Sequence, residues 1–131
     1  IFGNGDIDSP EKALEYKNSF GVDGIMIGRA AIGYPWIFNE IKHFLRSGTK
    51  LAPPTMQERV RATRKHVDFS VRWKGDRLGI FEMRRHYANY FKGIPDFKPF
   101  RTRLVEVETL HDVALILDEI VATYSKALLV A

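Results

Sequence analysis

The sequence predicts an α/β segment over residues 1–48, a linker over 49–54 and a small all-α bundle over 55–131. Three observations predict this. Two glycine turns, Gly3-Asn4-Gly5-Asp6 and Gly28-Arg29-Ala30-Ala31, each follow a short apolar run and lead into a helical pattern. The stretch Gly48-Thr49-Lys50-Leu51-Ala52-Pro53-Pro54 breaks the chain with two prolines and a glycine. Beyond it, apolar residues recur at helical spacing and no strand pattern remains.

Taken in order, Ile1-Phe2 forms the first strand. Ser9-Pro10-Glu11 starts a helix, with a capping hydroxyl, a proline at the first helical position and a carboxylate at the positive end of the dipole. That helix runs to about Phe20 and stops at Gly21. Gly24-Ile25-Met26-Ile27 is a continuous apolar run of the buried parallel-strand type, which completes a βαβ unit. A second helix from Pro35 carries Trp36, Ile37, Ile41, Phe44 and Leu45 on one face. A glycine turn and helix start after each of two consecutive parallel strands is the arrangement that binds phosphate after the last two strands of a TIM (β/α)8 barrel. A complete barrel needs roughly 250 residues. Residues 1–48 are therefore expected to be its last two βα units, and their unpaired strand edges invite self-association.

In the second half, Thr55-Met56-Gln57-Glu58 is a capping box. The helix it opens has Val60, Val67, Val71 and Trp73 as its expected inward stripe and breaks at Lys74-Gly75-Asp76. One helix is expected from Arg77 to about Lys92, with Leu78, Phe81, Tyr87 and Phe91 inward. A short helix spans 99–105. Thr109 then caps a last helix with Val113, Leu117, Ile120, Val121 and Tyr124 buried.

Composition narrows the chemistry. The 131 residues contain no cysteine, which excludes disulfides, thiol catalysis and thiolate metal sites. No apolar run approaches the roughly 20 residues of a membrane span, and no signal peptide is visible, so a soluble, cytoplasmic protein is expected. The net charge of +4 is unevenly spread: residues 1–54 sum to zero, 55–103 to +8 and 104–131 to −4. A basic middle segment is the footprint of a polyanionic partner, or an ordinary solvated helix surface.

Three local readings follow from residue type. Gly5 and Gly28 allow close backbone approach to an anion, Asn4 offers an amide, and Arg29 offers a guanidinium that can fork onto two oxygens. Arg84, Arg85 and Lys92 are the leading candidates for a nucleic-acid backbone. Arg101 either joins them or pins its short helix. Adjacent arginines on a helix do not share a face, so at most one of Arg84 and Arg85 meets a given ligand. His86 has no partner at metal-ligand spacing in the sequence, so no metal is expected, and packing is its plain role.

The runs Ile1-Phe2-Gly3-Asn4-Gly5-Asp6-Ile7, Gly21 to Ala31, and Gly33-Tyr34-Pro35-Trp36-Ile37-Phe38 closely resemble the carboxy-terminal part of the bacterial tRNA-dihydrouridine synthases. Arg84-Arg85-His86, Tyr90, Lys92-Gly93 and Phe100-Arg101 resemble the motif of that family's helical domain. One departure is visible: Asn89 stands before Tyr90, where the resemblance leads one to expect an aromatic. The resemblance implies an oxidoreductase that uses FMN in the barrel, reduced by NADPH, to reduce a tRNA uridine to dihydrouridine. It implies that Asn4, Gly5, Asp6, Gly28 and Arg29 surround the FMN phosphate, and that the helical domain, with Arg84, Arg85, Lys92 and Arg101, binds tRNA. It also implies a general-acid cysteine, which this chain lacks. No catalytic residue is thus assigned here, and the chain alone is expected to be inactive. Two other readings stay open: a stand-alone helical RNA-binding module that keeps a barrel remnant, and another FMN- or phosphate-binding TIM-barrel enzyme.

Overall fold

A computed structural model describes residues 1–130, with the side chains of residues 1–125. The chain divides into two compact units, Ile1–Pro53 and Pro54–Ala131.

In the first unit, β1 (Phe2–Gly3) and β2 (Gly24–Ile25) pair in parallel, with Phe2 opposite Gly24 and Gly3 opposite Ile25. The crossover is α1 (Pro10–Phe20). Its cap forms as the sequence predicts: the Ser9 hydroxyl accepts from the Lys12 N–H, Pro10 occupies the first turn, and Gly21 ends the helix in the left-handed region. A 3-10 turn over Arg29–Ala31 follows β2 and leads to α2 (Ile37–Ser47). Ile7, Ala13, Ile37 and Ile41 form the core, with Ile25 and Ile27 against it. The 25–27 run is not buried throughout: Met26 is exposed, because successive side chains of an extended segment face opposite ways and only one face meets this core. Phe2 is likewise exposed.

The second unit is helical: α3 (Met56–Lys74), α4 (Asp76–Met83), α5 (Tyr87–Tyr90), α6 (Lys98–Glu106) and α7 (Leu110–Val130). The capping box of α3 is complete, with Thr55 and Glu58 each accepting from the other's backbone N–H. The helices α3 and α4 lie so close that a Cβ on Gly79 would sit 2.7 Å from the Val71 Cα, and the Ser70 hydroxyl donates to the Gly79 carbonyl at 2.9 Å.

This contact overturns part of the expected stripe. With Gly79 against α3, the buried line of α4 becomes Gly79, Ile80 and Met83, while Leu78 and Phe81 turn outward. On α3 the inward residues are Val60, Thr63 and Val67, and Trp73 is 83% exposed, with the Lys74 ammonium over its ring. The expected continuous helix from Arg77 to Lys92 is also interrupted. Arg84 and His86 donate to the carbonyls of Phe81 and Met83, three residues back. That tightened turn redirects the chain so that Tyr87, Tyr90 and Phe91 are all buried. In α7, Ile116 joins Val113, Leu117 and Ile120 in the core, while Val121 and Tyr124 are only half-buried.

Candidate functional site

Parallel pairing puts the segments that follow β1 and β2 at the same end of the sheet. There the Asp6 carboxylate accepts a bond from Arg29 Nη2 and joins the two glycine turns. Both side chains are largely exposed, so this ion pair adds little to stability. Its effect is positional: it holds the guanidinium beside the first turn. Gly5 has φ +110° and Asp6 φ +49°, a sharp turn that a side chain at position 5 would strain. The Tyr16 hydroxyl donates to the Gly5 carbonyl at 3.1 Å and ties the turn to α1. At Gly28 an added Cβ would meet nothing within 4 Å, so the space before the 3-10 turn is open. Asn4 is exposed. Backbone N–H groups at the start of such a turn have no partner within it, and a guanidinium with one nitrogen occupied keeps further donors. The Asp6–Arg29 pair thus joins two exposed turns, with open space at Gly28.

The helical unit separates the four basic candidates. Arg84 serves the fold: its guanidinium lies over the Phe81 ring, Nη2 donates to the Val107 carbonyl at 3.4 Å, and Nε is buried. It lines a cleft with Arg77, Phe81 and Glu108. Arg85 is exposed, and its Nε donates to His86 Nε2 at 3.4 Å. Lys92 and Arg101, by contrast, line one cleft together with Asn89, Asp96 and Lys98. Sequence reasoning did not single out Lys98. Its only local signal is a lysine beside the proline that begins a helix, which is common at solvated positions.

His86 gains a neighbour that sequence spacing could not reveal. The His66 ring centroid lies 4.8 Å from that of His86, and His66 Nδ1 is 2.8 Å from the Tyr90 hydroxyl. Burial holds both imidazoles below the usual histidine range, and their mutual repulsion and Arg85 lower His86 further. Beneath them Arg59 is buried and donates to the Tyr90 carbonyl at 2.7 Å. Among the described residues, no group of three or more histidine, aspartate or glutamate side chains is placed to hold a metal, and no helix is long and apolar enough to cross a membrane.

A family model described as dihydrouridine synthase (Dus) matches residues 1–128. The chain belongs to the dihydrouridine synthase family. Over 108 residues it is 44% identical to tRNA-dihydrouridine synthase B of Pseudomonas putida, covering 82% of this chain and 32% of that one. To tRNA-dihydrouridine synthase B of Shewanella oneidensis it is 41% identical over 109 residues, 83% of this chain and 34% of the relative. To that of Xanthomonas campestris it is 38% identical over 109 residues, 83% and 33% of the two chains. The chain thus spans about a third of the length of the curated relatives it matches. Both turn sequences and the helical motif fall within the matched span.

Proposed function

We propose that this chain is the carboxy-terminal part of an FMN-dependent tRNA-dihydrouridine synthase. In this reading residues 1–48 end a TIM barrel and supply the phosphate end of the flavin site, residues 49–54 are a linker, and residues 55–131 bind tRNA. The observation that carries the reading is the Asp6–Arg29 ion pair, which brings together the turns after two adjacent parallel strands in a chain of this family. Asn4, Gly5, Asp6, Gly28 and Arg29 fit a phosphate. Arg29 offers free N–H donors, Asp6 fixes its position, and the approach at Gly28 is open. FMN, when bound and reduced by NADPH, supplies the hydride for the C5–C6 bond of the uridine.

The chain's own residues supply two things. Arg29 and the backbone N–H groups of the turns would hold the flavin's phosphate. The basic helical unit attracts the RNA backbone, and the target base must leave its stack to be reduced. The general-acid cysteine that the family resemblance implies is not among these residues, since the sequence has no cysteine.

Binding of tRNA by the 131-residue chain, measured at two salt concentrations without flavin, tests the RNA half of the reading. Salt-sensitive binding that Lys92→Ala weakens supports it, whereas no binding at low salt overturns it. For the flavin half, the purified chain is expected to retain no stoichiometric FMN and to show no turnover. A yellow preparation with equimolar flavin would contradict the view that the phosphate end alone is present.

A further inference from the structure

Three cations of the helical unit pair with carboxylates. Arg64 pairs with Asp118 at 2.6 Å, Arg103 pairs with Glu119 at 2.7 Å, and Lys74 pairs with Glu82. Lys92, Lys98 and Arg101 have no such partner among the described residues, and all three line the cleft of about 580 Å³ between α5 and α6. The one carboxylate on that cleft, Asp96, pairs with none of them. The floor is well packed: the buried rings of Phe91 and Phe97 stack at 4.4 Å, and the Tyr124 hydroxyl donates to the Pro95 carbonyl from α7 at 2.7 Å.

Three uncompensated like charges on one concave wall raise the local potential, and a bound anion relieves it. Asp96 lowers this potential without reversing its sign, and an RNA chain would present its phosphate here as a phosphodiester. Arg101 can fork onto its two free oxygens, the lysines act as point charges, and the exposed Asn89 amide adds a donor.

We propose that this cleft seats a phosphodiester of the RNA, held by Lys92, Lys98 and Arg101, and that Lys98 is a binding residue. The proposal rests on the reading of the helical unit as RNA-binding; of the four residues expected from the sequence it keeps Lys92 and Arg101, and it adds Lys98.

Two measurements on the 131-residue chain test it. In the first, tRNA affinity is followed against salt for Lys98→Gln, Arg101→Gln and, as a control of equal charge change, Arg72→Gln on the outer face of α3. Melting curves establish that each variant is folded. Lys98→Gln and Arg101→Gln are expected to weaken binding roughly three- to tenfold and to reduce the salt slope by about one, with Arg72→Gln near wild type. Unchanged affinity in both cleft variants, with wild-type RNA binding intact, overturns the cleft and leaves the RNA reading standing. An equal loss in Arg72→Gln also overturns it, because net charge would then explain the effect. In the second, dimethyl phosphate is titrated while backbone amide resonances are recorded. Saturable shifts at Gly93, Asp96 and Lys98, lost in Lys98→Gln, support a phosphodiester seat even if tRNA does not bind, in which case only the RNA reading fails. No shifts at those amides overturn the seat.

Discussion

Tyr87 is the largest side chain in the fold with no exposed surface, and its hydroxyl has no hydrogen-bond partner among the described residues. Burial pushes its pKa up to about 12. A buried hydroxyl without a partner carries a desolvation cost that the ring alone would not. Tyr87→Phe is therefore expected to leave stability unchanged or raise it by about 1 kcal/mol, measured by urea unfolding. A loss of that size would instead reveal a partner for the hydroxyl. His66 and His86 set a pH dependence. Their pKa values lie below the usual 6.5 in the folded chain, so the unfolded chain takes up protons first. Stability from this source is full above about pH 7 and falls as pH drops through the lowered folded pKa values. Facing His86, Arg85 and Lys74 oppose protonation and Glu82 favours it. The melting temperature is expected to be lower at pH 5.5 than at pH 7.5, with the difference reduced in a His66→Gln, His86→Gln variant. An undiminished difference would assign the pH dependence to other groups.

At the scale of elements, two devices carry the helical unit. The capping box joins Thr55 and Glu58 at the start of α3, and Thr55→Ala should cost about 1 kcal/mol. The α3–α4 contact is more demanding. Because Gly79 meets backbone rather than a movable side chain, Gly79→Ala forces the helices apart and should cost about 1–3 kcal/mol. Denaturant titration of both variants checks the order as well as the size: the cap variant should be the milder. If Gly79→Ala unfolds at the wild-type midpoint, the close approach of the two helices is not needed.

Across the helical unit, the charge pattern of the sequence is partly cancelled by the fold. The acidic 104–131 segment meets the basic 55–103 segment through Asp118–Arg64 and Glu119–Arg103, both on α7. These pairs remove two arginines from the pool available to a polyanion. The surplus that remains includes the three cations of the α5–α6 cleft. On the proposed reading, RNA binding by the whole chain is expected to show a salt slope of a few phosphate contacts rather than the eight that the sequence count suggests. Affinity measured over a salt series decides this, and a slope near eight contacts would show that the ion pairs open on binding.

The sequence by itself determined the parts of this protein that depend on neighbours along the chain. The Ser9 and Thr55 caps, the Gly21 stop, the βαβ order of residues 1–27 and the two glycine turns are all local, since hydrogen-bonding side chains a few residues apart settle them. The family was legible for the same reason, in contiguous runs such as Gly28-Arg29-Ala30-Ala31 and Arg84-Arg85-His86. Only the tertiary structure decided which face of each helix is buried. Periodicity marks an apolar stripe, but the close approach at Gly79 chose between neighbouring stripes, turned Phe81 and Trp73 outward and brought Ile80 and Met83 in. It alone joined Asp6 to Arg29, brought His66 beside His86, and separated the internally bonded Arg84 from Lys92, Lys98 and Arg101, which have no ion-pair partner among the described residues. Asp6 and Arg29 lie 23 positions apart and His66 and His86 lie 20 apart, and no local spacing encodes either pairing.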